Sequence, residues 1–270
     1  MGGDLSKRVH HIFVGGMPVA DVSERDLLEA MASDIERLRL GELPQAVSVM
    51  DSNGQALSLY ASDPNFRKAI DSADIIHADG QFIVWASRLG AAEPVSERTA
   101  TTDFIHAAAA KAASSEFSFY LLGSTERVNA RAVDKLRDSY PGLRIAGRRN
   151  GYFDEAEVDG IIEDINASGA DVVWVGLGKP REQFFVETYK HRIDTAWIVT
   201  CGGCFNFLAG DYVRAPVWMQ RWGLEWLHRM ATGPGHLIGR YLYTIPHAIG
   251  LVIWNDILRI GRTTRENRPT

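Results

Sequence analysis

The sequence predicts an α/β fold built on a mostly parallel sheet with helices on both faces. Short apolar runs rich in β-branched and aromatic residues alternate with longer segments of helical period along the first 210 residues. Such runs, apolar on both sides of the strand, belong to a sheet covered on both faces. The composition agrees: 46% hydrophobic and 23% charged over 270 residues, with no low-complexity stretch, describes a chain able to bury a sizeable core. This length suits one large core plus an appendage, and the division is placed between residues 1–210 and 211–270.

The elements follow in order. Strands are expected at His11–Val14 and at 46–50, 117–122, 143–146, 171–175 and 196–200. A helix over 23–39 opens on Ser23 with Asp26 three residues on, so each can cap the other's backbone. Asp63-Pro64 starts a second, because proline suits the first helical position. Further helices are expected over 154–167 and 180–191, and one begins near Thr125. In such sheets ligands bind beyond the carboxyl ends of the strands. Chemistry is therefore sought at Asp51 to Asn53, His77 to Gly80, Leu122 to Thr125, Gly176 to Gln183 and Cys201 to Asn206.

Charge narrows the function. The net charge of −5 disfavours a protein that tracks nucleic-acid phosphates, which needs a clustered basic face. The balance is uneven: residues 211–270 carry eight Arg, no Lys and four acids, or +4, leaving −9 on residues 1–210. A basic tail on an acidic body implies a separate electrostatic partner. Residues 1–8 are polar and hold no apolar stretch of secretory type, so a cytoplasmic location is expected. The apolar run 245–254 is interrupted by His247, stopped by Asn255 and Asp256, and falls short of the ~20 residues a spanning helix needs. Membrane association would then be peripheral, on the inner face.

Asp79, followed by Gly80 after an apolar run, is placed to project a carboxylate into the crevice. There it could take a proton from an attacking hydroxyl; the alternative is a turn aspartate bonded to its own backbone. Gly123 and Ser124, and likewise Gly176 and Gly178, lie between a strand and a helix, where free amides could face a diphosphate. Neither run is a dinucleotide fingerprint or a P-loop, so a plain strand-helix turn is the alternative. The chain contains no Asp-x-Asp, the acid pair that commonly holds a metal on a nucleotide diphosphate. Arginines such as Arg98 and backbone amides would meet that charge, with no metal or cofactor. Arg98 could equally pair with Glu97 or another carboxylate.

Cys201 and Cys204 are the two cysteines. They allow a thiol oxidoreductase reading, while the simpler one is two small apolar residues in a glycine loop. No second Cys/His pair stands at zinc spacing. In the tail, Trp218, Trp222 and Trp226 recur every four residues, which on one helix gives one aromatic face beside Arg221, Glu225 and Arg229. Trp with Arg suits a membrane interface, and core packing is the alternative. A non-catalytic, membrane-recruited binding protein would keep this tail.

Ordered motifs then show a resemblance. Asn53, Asp63-Pro64, Asp79-Gly80, Glu97-Arg98, Tyr152, Gly176-Leu177-Gly178 with Pro180, and Phe205 to Gly210 follow in sequence. Arg214-Ala215-Pro216, Trp218, Arg221, Glu225-Trp226, Arg229 and Arg240-Tyr241 come after them. In this order, from about residue 11 to 242, the chain resembles the WecG/TagA/CpsF family of glycosyltransferases. The resemblance implies a Rossmann-like catalytic domain and a C-terminal helical, membrane-associating appendage. It implies inverting, metal-independent transfer of a hexose-type sugar from a UDP-sugar to a polyprenyl-diphosphate-linked sugar in surface polysaccharide biosynthesis. Asp79 is similar to the family's catalytic base, and Asn53 and Arg98 to pocket residues. Tyr152, Gln183, Gly202 and Gly203 look like the nucleotide side, with Asn206 nearby. Arg214, Arg221 and Arg229 would approach the acceptor's diphosphate. Family members form dimers in which the appendage is displaced, so a homo-oligomer is also implied. The chain departs from the family pattern at Asp51, where Thr is usual, at Glu182-Gln183, usually Gln-Glu, at Asn206, usually Asp, and at Thr101, usually Gly.

Overall fold

The computed structural model describes residues 10–90, 93–233 and 235–258. The reading of residues 1–8, and four of the eight tail arginines (Arg259, Arg262, Arg265 and Arg268), lie outside these.

Six strands form one sheet in which every neighbouring pair is parallel. Two others form an antiparallel hairpin, β1 (His11–Val14) and β2 (Met17–Ala20), turned by Gly15 and Gly16, both at positive φ. The first expected strand thus lies outside the main sheet, because a glycine pair after it permits the tight turn. The sheet comprises β3 (Val47–Ser52), β4 (Ile75–Ala78), β5 (Ser118–Gly123), β6 (Arg144–Arg149), β7 (Val172–Gly176) and β8 (Trp197–Thr200), in the order β4-β3-β8-β7-β5-β6.

Alternation along these strands divides the core in two. Met50, Ile76, Leu122, Val173, Val175 and Ile198 point to one face. It is covered by α2 (Gly54–Ser62), α3 (Pro64–Asp71), α4 (Gln81–Gly90), α7 (Val158–Ser168) and α8 (Arg181–Tyr189). Val49, Ile75, Phe119, Trp174, Trp197 and Val199 point to the other. There α1 (Glu24–Arg39), α5 (Thr101–Ser115), α6 (Glu126–Ser139) and α9 (Cys204–Leu208) pack. The expected caps form: Ser23 and Asp26 bond each other's backbone, Asp63 caps α3 and Thr125 caps α6. Trp197 is fully buried and its indole donates to Asp34 at 2.9 Å, fastening α1 to β8. Truncating such a ring costs about 3–5 kcal/mol.

The C-terminal segment continues as α10 (Val217–Arg221), α11 (Glu225–Thr232) and α12 (His236–Val252). The tryptophan stripe does not lie on one helix. Gly223, at φ 61°, ends α10 before α11 begins, so Trp218 and Trp222 are exposed while Trp226 turns inward beside Tyr241, with ring centroids 6.4 Å apart. Helix α12 packs along α2, burying Ala248 and Val252 in the first core and bonding His247 Nδ1 to Ser58 Oγ at 2.8 Å. Just beyond it, Asn255 and Asp256 hydrogen-bond the backbone of Gly15. Among the described residues no helix is long and apolar enough to cross a membrane.

Candidate active site

A cavity of about 360 Å³ opens at the carboxyl ends of β3, β4, β7 and β8 and is roofed by α11 and α12. Its position follows from the sheet: every parallel strand delivers its following loop to the same edge.

From β3 come Asp51 and Asn53. Asn53 is the N-cap of α2, its Oδ1 accepting from the amides of Gln55 and Ala56 at 3.1 Å each. With that oxygen committed, its Nδ2 faces two carboxylates, Asp51 Oδ2 at 3.3 Å and Asp79 Oδ2 at 3.4 Å. From β4 comes Asp79, whose Oδ1 accepts from the amide of Thr101 at 2.9 Å. Helix α5 therefore begins against this carboxylate, since Ala100 at its N-cap offers no side-chain bond. Burial alone would push the Asp79 carboxyl up. The charges of Arg98 and Lys179, with the Thr101 amide, outweigh it and hold the group below the usual carboxylate range. Beneath lies His77, fully buried, with Nδ1 donating to the Thr99 carbonyl at 2.8 Å and Nε2 without a hydrogen-bond partner among the described residues. Burial keeps its ring neutral.

From β7 comes Lys179, its ammonium buried against Asp51 and 3.8 Å from Glu182. Burial disfavours its charge, but Asp51 and Glu182 more than restore it and raise its pKa. Glu182, on α8, is fully buried, and its Oε2 accepts from the amides of Gly178 and Gly202 at 3.0 Å each. One carboxylate thus joins the loops after β7 and β8. Burial raises its pKa to about 7, with Asp51 adding to the effect and Lys179 opposing it.

The roof is cationic. Arg98 meets Glu225 at 3.0 Å. Arg229 stacks 5.1 Å from the Phe207 ring and Arg240 lies 4.6 Å from that of Tyr241. The Nε of each of these three arginines is buried with no hydrogen-bond partner among the described residues.

Of the residues given a substrate or catalytic role from sequence, Asp79, Asn53, Arg98, Gly178, Gly202, Gly203 and Arg229 line this one cavity. The other residues given such a role lie apart from its wall. Gly123 and Ser124 close a turn in which the Ser124 amide donates to the Gly176 carbonyl at 3.0 Å, so that amide is not free for a diphosphate. Asn206 meets Ser124 at the limit of hydrogen bonding, 3.5 Å. Gln183 is fully buried beside Glu182, Tyr152 is 71% exposed and Arg221 is exposed. Arg214 stands at the rim, bound to Asp103 at 3.0 Å and to Thr102, Gln220 and Glu225. Sequence reasoning gave no site role to Lys179, nor to Glu225 and Arg240, which it named only within the tail motifs. Lys179 carried a readable signal, a charge set between a glycine and a proline directly after a strand.

Cys201 and Cys204 also border the cavity as free thiols, buried, with burial pushing both pKa values up. They match the reading as small apolar residues better than that of reactive thiolates.

Comparison with known proteins places this geometry. The family model described as Glycosyl transferase WecG/TagA/CpsF matches residues 12–262. An N-acetylglucosaminyldiphosphoundecaprenol N-acetyl-beta-D-mannosaminyltransferase from Bacillus spizizenii is 32% identical over 195 residues, covering 72% of this chain and 74% of that protein. A protein of the same description from Bacillus subtilis strain 168 is 30% identical over 206 residues, covering 76% of this chain and 79% of that one. With a match across nearly the whole chain and the cavity where a parallel sheet delivers its loops, this chain belongs to the WecG/TagA/CpsF family of glycosyl transferases.

Proposed function

We propose that the chain transfers a hexose-type sugar, with inversion, from a UDP-sugar to a polyprenyl-diphosphate-linked sugar during surface polysaccharide assembly. The observation that carries this is Asp79: an ionised carboxylate inside a cavity, held by a helix N-terminus and Asn53, beneath a roof of arginines. The acceptor class follows the printed activity of the two relatives, which act on a diphosphoundecaprenol-linked sugar.

In the reaction Asp79 accepts the proton of the acceptor hydroxyl while that oxygen attacks the anomeric carbon from the face opposite the nucleotide. The bond from that carbon to the diphosphate breaks and the UDP carries the electron pair away. Binding of a diphosphate near Arg98 and Lys179 would offset their charge and raise the basicity of Asp79 at the moment it is needed. Arg98, Arg229 and Arg240 supply donors for diphosphate charge, which supports metal-independent transfer. Arg214 and Arg221, at and outside the rim, would meet the acceptor when the roof moves.

Peripheral attachment at the inner membrane face is supported by apolar surface beside the roof. Trp218, Trp222, Leu242, Tyr243 and Trp254 are each more than half exposed. Rings of this kind settle at headgroup level, next to a cavity whose acceptor is lipid-linked. In this reading residues 1–210 form the catalytic domain and 211–270 the appendage.

The test is transfer of label from UDP-hexoses to N-acetylglucosaminyl-diphosphate-undecaprenol by the wild type and by Asp79→Asn. Loss of about two to four orders of magnitude in kcat with an unchanged melting temperature is expected. Near-normal turnover by the folded variant removes Asp79 from the chemistry, and no nucleotide release by the wild type with any donor leaves a binding protein instead.

A further inference from the structure

No bond or proton change in the reaction above involves three buried titratable groups at or behind the cavity floor. Asp51, Lys179 and Glu182 come from three different segments, on β3, after β7 and on α8, and their side chains are 6%, 5% and 0% exposed. Ionised groups taken out of water are retained only with close partners, because an unpaired one would neutralise or pull the segment apart. Here each has partners. Lys179 bonds Asp51 and approaches Glu182 at 3.8 Å, Asp51 Oδ1 also accepts from Thr200 at 3.2 Å, and Glu182 takes the amides of Gly178 and Gly202.

The cluster does not end at the floor. From Lys179 a line of side chains runs to Asp51, then through the Asn53 amide to Asp79, with the last two steps at 3.3 and 3.4 Å. The Asn53 amide cannot turn away, because its oxygen is spent on the cap of α2. The position of Lys179 is thus transmitted to one oxygen of Asp79, while the α5 terminus fixes the other.

We propose that Lys179 is a positioning residue for Asp79, acting through Asp51 and Asn53 to hold the carboxylate in place and charged. The proposal rests on the reading of Asp79 as the base, but the state of Asp79 can be measured without that reading. The groups facing Asp79 are Arg98 before α5, the Thr101 amide at the start of α5, Lys179 after β7, Asn53 after β3, His77 on β4 and Cys204 on α9. Lys179 itself faces Asp51, Glu182 and Asp79. Removing its ammonium deletes a positive neighbour from Asp79, which favours the protonated carboxyl.

The experiment is a ¹³C NMR titration of the Asp79 carboxyl, assigned by its disappearance in Asp79→Asn, in the wild-type chain, Lys179→Met and Lys179→Arg. We expect the midpoint to rise by about one pH unit in Lys179→Met and to stay near wild type in Lys179→Arg, which keeps the charge. In kinetics, the acid limb of kcat/KM should move up by the same amount, about ten-fold in rate below the limb. A role confined to structure would leave the titration where it is. If Lys179→Met does not fold with Asp51 unpaired, Lys179→Gln removes the charge while keeping a donor for Asp51, and the same rise is expected. An unmoved Asp79 midpoint in whichever of these folds overturns the proposal. Failure of Asp79→Asn to reduce transfer would overturn the catalytic reading alone.

Discussion

Arg98 and Glu225 meet at 3.0 Å across the mouth of the cavity, joining the loop before α5 to the first residue of α11. The same carboxylate lies 3.5 Å from Arg214. Both partners of the shorter pair are largely buried, so its loss takes from Arg98 the carboxylate it pairs with in a poorly hydrated place. Glu225→Ala should loosen the roof and raise KM about ten-fold, on the order of 1.5 kcal/mol. Steady-state kinetics and trypsin cleavage around α10 and α11 read this, and unchanged values for both would show that the pair does not hold the roof.

Glu182 carries a pH dependence of stability. Its folded pKa is raised to about 7, above the 4.5 of an ordinary glutamate, so the folded state binds its proton more tightly than the unfolded chain does. The stability this confers is complete below about 4.5 and is lost as pH rises through 7. Glu182→Gln cannot lose that proton. The melting temperature of this variant relative to wild type should therefore climb between pH 5 and pH 8, and a flat difference would show that Glu182 does not titrate there.

Trp218 and Trp222 are 59% and 66% exposed, with an edge contact between Trp222 and Trp85 at 6.5 Å between centroids. Replacing both with alanine should leave the melting temperature within a few degrees and weaken binding to anionic vesicles about ten-fold or more. Flotation with vesicles containing phosphatidylglycerol decides it, and undiminished binding would move the membrane contact elsewhere.

Cys201 and Cys204 should be dispensable for chemistry. With both thiols buried and their pKa values raised, iodoacetamide at pH 8 should label neither in the folded chain. The double serine variant should keep most of its transfer activity. Complete loss of activity in a folded variant would revive the thiol reading.

Most of the sheet was legible because buried parallel strands are short, apolar and bounded by caps. β2 was passed over because Pro18 breaks its pattern. The run forming β4 was noticed only as the lead-in to Asp79, since four residues are too few to show a period. α5 was hidden by its alanines, which carry no stripe, yet Ala108, Ala109 and Ala112 are fully buried. At the site, strand-end logic located Asp79, Asn53 and the glycine loops, whose positions follow from topology alone. Glu225 and Arg240 were beyond it, because only the folding of α11 and α12 over the sheet brings them there. The tryptophan spacing misled for a local reason: a period of four was unbroken in sequence while Gly223 broke the helix.

The place of β8 has a consequence for synthesis. It is the last strand to leave the ribosome, yet it sits between β3 and β7, near the middle of the sheet. Without β8 the strand order leaves two half-sheets, β4-β3 and β7-β5-β6, each with an open hydrogen-bonding edge facing the gap. Assembly therefore waits for a contact about 150 residues apart in sequence. Chains that terminate before Trp197 expose both edges at once and are the species that chaperones must hold.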